Sequence, residues 1–222
     1  KPLMNRATQA QYSPGSTFKI LQALIGLQEK VITPHTQYVC NGQGSRPIRC
    51  THSHGKNIDL EEGIEQSCNP YFWALYRDLL QQDGYSDDNA EFKQHYQIWR
   101  DHIMSFGLGN KFTDTDISEQ AKGAIPSVGL YDKIYGKKGW KAITIRSLSI
   151  GQGEILVTPL QLANQTAAIA NKGYYMCSDT WFDRFVYQAV INKKYLTKAQ
   201  KDLLKGKVIH LNPWDPMGTL AN

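Results

Sequence analysis

The feature that most limits this chain is a break. Tyr12-Ser13-Pro14-Gly15-Ser16-Thr17-Phe18-Lys19 puts two helix breakers directly before a serine, and an apolar run follows at once. Proline has no amide N–H to donate and glycine is costly inside a helix, so a helix can start here but cannot pass through. The run "ILQALIGLQEK" carries apolar residues at 20, 21, 24, 25 and 27, the period of an amphipathic helix. Ser16 and Lys19 then stand one turn apart on one face. Two readings of the pair remain open on these residues. In one, Ser16 caps the helix and Lys19 faces solvent. In the other, the helix tip presents a serine nucleophile and Lys19 adjusts its proton.

Length and composition narrow the setting. A chain of 222 residues can build one good core, or one domain with a small addition. With 41% hydrophobic and 20% charged residues it belongs among folded domains rather than disordered ones. The net charge of +5 is mild, and Lys and Arg are scattered with Asp and Glu between them, which argues against nucleic-acid binding. No apolar run approaches the roughly 20 residues of a membrane span. The chain opens on Lys1-Pro2-Leu3 with no initiator methionine and no signal peptide, and is expected to be a piece of a longer protein.

Along the chain, "NIDLEEGIEQS" reads as a helix with Asn57 or Asp59 as its cap. Ser67-Cys68-Asn69-Pro70 follows, then an aromatic helix, "YFWALYRDLLQQ", whose Tyr71, Phe72, Trp73 and Tyr76 are expected in the core. Residues 83–94 read as a polar surface loop. "HYQIWRDHIMSFGLG" reads as a helix ending on glycine, with His95 and His102 on one of its faces as surface or core residues rather than ligands. Residues 110–140 suggest a long irregular excursion, with Asp114 and Asp116 as loop acids. Thr158-Pro159 opens a helical run to Asn171, closed by Lys172-Gly173. Gly151-Gln152-Gly153 lacks the spacing of a phosphate-binding loop.

The cysteines stand at 40, 50, 68 and 177. Cys40 and Cys50 flank "CNGQGSRPIRC", which suggests a hairpin pinned by a local disulfide. With His52 and His54 the same pair could supply four zinc ligands, although the spacing fits no established zinc-finger pattern; free thiols are the third possibility. The disulfide is the favoured expectation.

Three stretches in order, Ser16-Thr17-Phe18-Lys19, Ser67-Cys68-Asn69 and Gly151-Gln152-Gly153 with "VTPLQLA" after it, resemble the transpeptidase domain of class B penicillin-binding proteins, in particular the penicillin-binding protein 2 group. The likeness covers roughly residues 1–175. It implies an α+β fold, an antiparallel sheet flanked by helices with a helical subdomain carrying both serine motifs. It implies a peptidoglycan D,D-transpeptidase that forms a serine acyl-enzyme on stem peptides ending in D-Ala-D-Ala, with Ser16 as nucleophile, Lys19 as base, Ser67 as proton relay and Asn69 as substrate-binding residue. Cofactors and metals are not required by that chemistry. β-Lactams would acylate the same serine. The family works from the periplasmic face of the bacterial inner membrane, held by an N-terminal anchor, beside a lipid-linked glycan polymerase and other elongation-complex proteins.

The chemistry is sound on its own terms. A serine hydroxyl needs a base within reach, and lysine serves only when burial or a neighbouring cation makes its amine neutral. Amide N–H groups at a helix start favour the oxyanion of acyl transfer.

The sequence departs from the family in one respect. The third motif, Lys-Ser/Thr-Gly, is absent: Lys137-Lys138-Gly139 comes too early, and Lys122-Gly123 and Lys172-Gly173 lack the hydroxyl residue. Residues 1–176 are therefore read as a partial transpeptidase domain. Residues 177–222, expected to form helices near 180–191 and 197–205, do not resemble the family, and a truncation, a frameshifted end or a splice could have produced them. Impaired activity is expected from the missing wall of the cleft. A β-lactamase or β-lactam sensor of the same fold, and a non-catalytic fragment, are the alternative readings.

Overall fold

The structure is a computed structural model that describes residues 4–82, 89–112 and 117–171. Two compact units divide the chain. One joins Lys1–Tyr12, His102–Ala124 and Val157–Asn222; the other joins Ser13–Asp101 and Ile125–Leu156. Cys177, Asp114, Asp116, the closing Lys172-Gly173 and the whole of 177–222 lie outside the described residues, as do positions 83–88.

In the second unit, a 3-10 turn at Gly15–Phe18 leads into helix α2, Lys19–Gln28. Helix α3, Leu60–Glu65, is capped by Asp59, whose carboxylate accepts from the Glu62 amide at 3.0 Å. Helix α4, Asn69–Leu80, starts on Cys68 with Pro70 in its first turn, where the missing N–H of proline costs nothing. Strands β1, Tyr38–Val39, and β2, Asn57–Ile58, pair antiparallel with Tyr38 opposite Ile58. The ladder thus lies outside the interval from Cys40 to Cys50. That interval holds a 3-10 turn at Gly42–Gly44 in place of the expected hairpin.

The aromatic run on α4 is core, as its pattern suggested. Tyr71, Phe72 and Tyr76 are fully buried. Tyr76 and Phe18 both meet Trp99 edge-on, at 5.0 and 6.2 Å between ring centroids. Trp99 belongs to helix α5, Asn89–Ser105, which carries His95 and His102. Residues 89–94, expected in a loop, are the first turns of this helix. Gln22, fully buried on α2, accepts from Trp99 Nε1 at 2.6 Å and donates to Ser149 O at 3.5 Å. A polar group at such a site must be paired, and this one ties α2 to its neighbours.

The excursion over 110–140 contains a helix that periodicity missed, α6 at Val128–Tyr135, capped by Ser127. Eight residues with Gly129 near their start give too short a pattern to detect. Tyr131 fixes it to the core, stacking against Trp140 at 5.0 Å and donating to Glu154 at 3.0 Å.

The first unit is smaller. Helix α1, Arg6–Gln9, packs near helix α7, Pro159–Ala170. Thr158 and Gln161 form a reciprocal capping box, each side chain bonding the other's backbone N–H. Gln161 also donates to the carbonyls of Asn110 and Lys122 at 2.7 and 2.9 Å. Tyr12 and Val157 exchange two backbone hydrogen bonds of 2.9 Å. The α+β expectation holds: among the described residues, helices dominate and the sheet is one small antiparallel ladder.

Candidate functional site

The second unit brings Lys19 together with Ser67 and Asn69. Lys19 is 3% exposed at the start of α2. Its Nζ donates to Ser67 O at 2.7 Å, Ser67 Oγ at 2.9 Å and Asn69 Oδ1 at 2.6 Å. Its ammonium also lies 5.7 Å from the centre of the Phe72 ring. Burial takes the Lys19 pKa down to about 8, against a smaller upward pull from the Cys68 and Cys50 thiols. Lys19 is therefore no solvent-face charge, and a useful share of it is neutral in mildly alkaline solution.

Ser16 lies inside the 3-10 turn, exposed, one residue after Gly15. The hydrogen bonds that hold Lys19 run to Ser67 and Asn69. Gly15 adopts φ +60°, and its amide donates to Gly151 O at 2.9 Å. A Cβ on Gly151 would stand 2.4 Å from Gly15 O and 2.6 Å from Phe18 Cβ. The Gly-Gln-Gly loop is thus pressed against the serine turn, and only glycine allows the approach.

Ser67 sits at φ +48°, in the left-handed region that L side chains rarely adopt. Its strain turns the hydroxyl and the carbonyl of one residue toward the same ammonium. Asn69 donates through Nδ2 to Arg49 O at 3.1 Å, which aims its carbonyl oxygen at Lys19.

Between these two residues stands Cys68, fully buried. Cys40, Cys50 and Cys68 are free thiols, so the favoured Cys40–Cys50 disulfide is not formed. The four ligand atoms of Cys40, Cys50, His54 and Cys68 lie within 4.8 Å of one another. His54 Nε2 is 3.1 Å from Cys50 Sγ and 3.6 Å from Cys40 Sγ. Tetrahedral zinc with bonds of about 2.0–2.3 Å needs ligand separations of this order. His54 Nδ1 lies 3.0 Å from Gly55 O, so a proton there frees Nε2 for a metal. His52, named in the sequence-based zinc set, turns to Gln66 at 3.2 Å, and Cys68 takes its place. In the sequence Cys68 read only as the middle residue of Ser67-Cys68-Asn69. Burial raises both Cys50 and Cys68; hydrogen bonding from His54 and backbone N–H groups outweighs it at Cys50 and draws that thiol to about 7, while Cys68 stays high.

The family model described as penicillin binding protein transpeptidase domain matches residues 1–207. The peptidoglycan D,D-transpeptidase MrdA of Acinetobacter baumannii is 33% identical over 182 residues, covering 79% of this chain and 25% of that protein. The chain thus spans about a quarter of the length of that relative. A crystal structure of Pseudomonas aeruginosa PBP2 in complex with WCK 5153 is 29% identical with a TM-score of 0.60, over 78% of this chain and 36% of that one. A peptidoglycan synthase complex solved for polymerization and crosslinking is 28% identical with a TM-score of 0.58, over 78% of this chain and 27% of that one. A relative of another kind also matches: aminopeptidase C of Listeria innocua is 49% identical over 53 residues, 24% of this chain and 12% of that protein.

Proposed function

Because this chain belongs to the penicillin-binding protein transpeptidase domain family, we propose that it is part of a peptidoglycan D,D-transpeptidase of the serine acyl-enzyme type. The observation that carries the reading is the buried Lys19 ammonium, held at once by Ser67 and Asn69. Lys19, once neutral, takes the proton of Ser16 as its oxygen attacks the penultimate D-alanine carbonyl of a stem peptide. Ser67 passes that proton to the leaving D-alanine amine. Asn69 orients the substrate amide, and amide N–H groups at the turn before α2 stabilise the oxyanion. An amine of a neighbouring stem then takes the acyl group. The protein works at the periplasmic face of the inner membrane, with a glycan polymerase and elongation-complex proteins as partners, in keeping with the solved synthase complex.

The Lys-Ser/Thr-Gly motif does not occur in this sequence, so the chain by itself acylates weakly. Fluorescent penicillin with a Ser16→Ala control tests this: faint, Ser16-dependent labelling is expected, and labelling that survives Ser16→Ala removes the nucleophile from the reading. Residues 177–222 lack the family's Lys-Ser/Thr-Gly wording, although the family model extends to residue 207. Sequencing the gene across residues 170–180 should show one uninterrupted reading frame; a frameshift or rearrangement there would make the tail an accident.

A second observation favours a structural role for the cysteine cluster. Cys40, Cys50, His54 and Cys68 hold one zinc ion, which pins the loop of residues 40–54 to the start of α4. Purified protein should contain about one equivalent of zinc per chain. A Cys40–Cys50 linkage in unreduced peptide maps would overturn this and return the pair to a disulfide.

A further inference from the structure

The segment 128–146 is a surface of unusual composition, and its character owes nothing to the catalytic reading. Nine large apolar side chains are exposed among the described residues, and four of them, Leu130, Ile134, Tyr135 and Ile143, fall in this one segment. Ile134 is 54% exposed. Leu130, Lys133 and Ile134 follow i, i+3, i+4 spacing, so they share the solvent face of α6. Tyr131 anchors the opposite face in the core.

The charge is as uneven as the apolar content. Lys133, Lys137, Lys138, Lys141 and Arg146 are all exposed, and the segment's one acid, Asp132, is engaged by Lys93 at 2.7 Å. Five cations against one acid leave +4, compared with +5 for all 222 residues. Here the basic residues follow one another along a short stretch, and each is exposed. A polyelectrolyte such as nucleic acid or a glycan strand would use the cations and leave the aliphatic groups in water. A bilayer surface uses both, with headgroup phosphates meeting the lysines and the interface receiving Leu130, Ile134 and Ile143.

We propose that residues 128–146 form a docking surface for an anionic membrane. Short reach is built in: α6 ends at Gly136, φ +80°, and the lysines that follow sit on an exposed turn. The contact is peripheral and salt-dependent, since single surface charges act within a Debye length of roughly 8–10 Å.

Co-sedimentation of the full chain with vesicles of phosphatidylcholine, alone or mixed with about one-third phosphatidylglycerol, tests the proposal. Binding is expected only to the anionic vesicles, falling about tenfold or more between low and high salt. Lys137→Glu with Lys138→Glu should weaken it at least tenfold. Ile134→Asp should weaken it several-fold and Ile134→Leu should restore it, with circular dichroism unchanged for each variant. Equal binding to neutral vesicles, no binding at all, or indifference to the lysine pair overturns the surface. Binding that tolerates Ile134→Asp, or that is tighter to insoluble peptidoglycan than to vesicles, replaces the membrane with an anionic polymer.

Discussion

Ser67, Cys68 and Asn69 are consecutive, yet their side chains enter two different clusters. Ser67 and Asn69 turn oxygens toward a buried ammonium, while the residue between them turns a thiol into a cluster of sulfur and imidazole. The first group is built for exchange: its lysine is drawn down to about 8 and its serine sits at a strained φ of +48°. The second is built for permanence, with three buried thiols and one imidazole converging on a single point. The difference teaches how a strained turn is held. Backbone strain at Ser67 costs about 1–3 kcal/mol, and a ligand on the very next residue can offset it.

The sharpest way to separate the two groups is Lys19→Arg. Arginine keeps the charge but cannot become neutral, so in a domain completed with a Lys-Ser/Thr-Gly strand acylation by a β-lactam should fall about 100- to 10,000-fold. Zinc content should stay unchanged. Near-normal acylation would return Lys19 to a structural role.

Cys50→Ser breaks the other side. Zinc affinity should drop by about 100-fold or more, and the melting temperature should fall with it. Mass spectrometry under native conditions and a thermal scan would check both. A variant that retains zinc would show that three ligands suffice.

The third test joins them through pH. Because the folded Lys19 has its pKa lowered to about 8, the acylation rate should rise about tenfold per pH unit below that value and level off above it. Zinc retention should fail at the acid end instead, where the thiols are protonated. A rate that is flat from pH 6 to about 9 would remove Lys19 as the base.

Asn69→Asp gives the smallest effect. A carboxylate beside Nζ would favour the charged lysine and move the rate profile to higher pH by about one unit. An unmoved profile would mean that the Asn69 side chain does not face Lys19 during reaction.

What could be read from residues alone follows the range of the interactions. The break at Pro14-Gly15, the Thr158-Gln161 capping box and the aromatic face of α4 are encoded within a few positions, so their helices were legible. Motif wording singled out Ser16, Lys19, Ser67 and Asn69, and the structure brings Lys19 to Ser67 and Asn69. The partner of Cys68 was not, because its ligands stand on a loop far upstream and follow no regular spacing. The same holds for Arg49, which orients Asn69 through a backbone carbonyl that any residue could supply. Helix α6 escaped because its eight residues owe their place to Tyr131 and Trp140 rather than to periodicity.

The contact between Gly15 and Gly151 has an implication for inheritance. Gly151 has no room for a side chain against Gly15, and Gly15 holds a left-handed φ of +60°, although nearly the whole transpeptidase-like sequence separates them. Recombination with a crossover inside that interval unites turns from different parents, and survives only if both kept glycine. Exchange beyond Gly153 carries no such penalty. The end of the family match, at residue 207, lies in that permissive stretch.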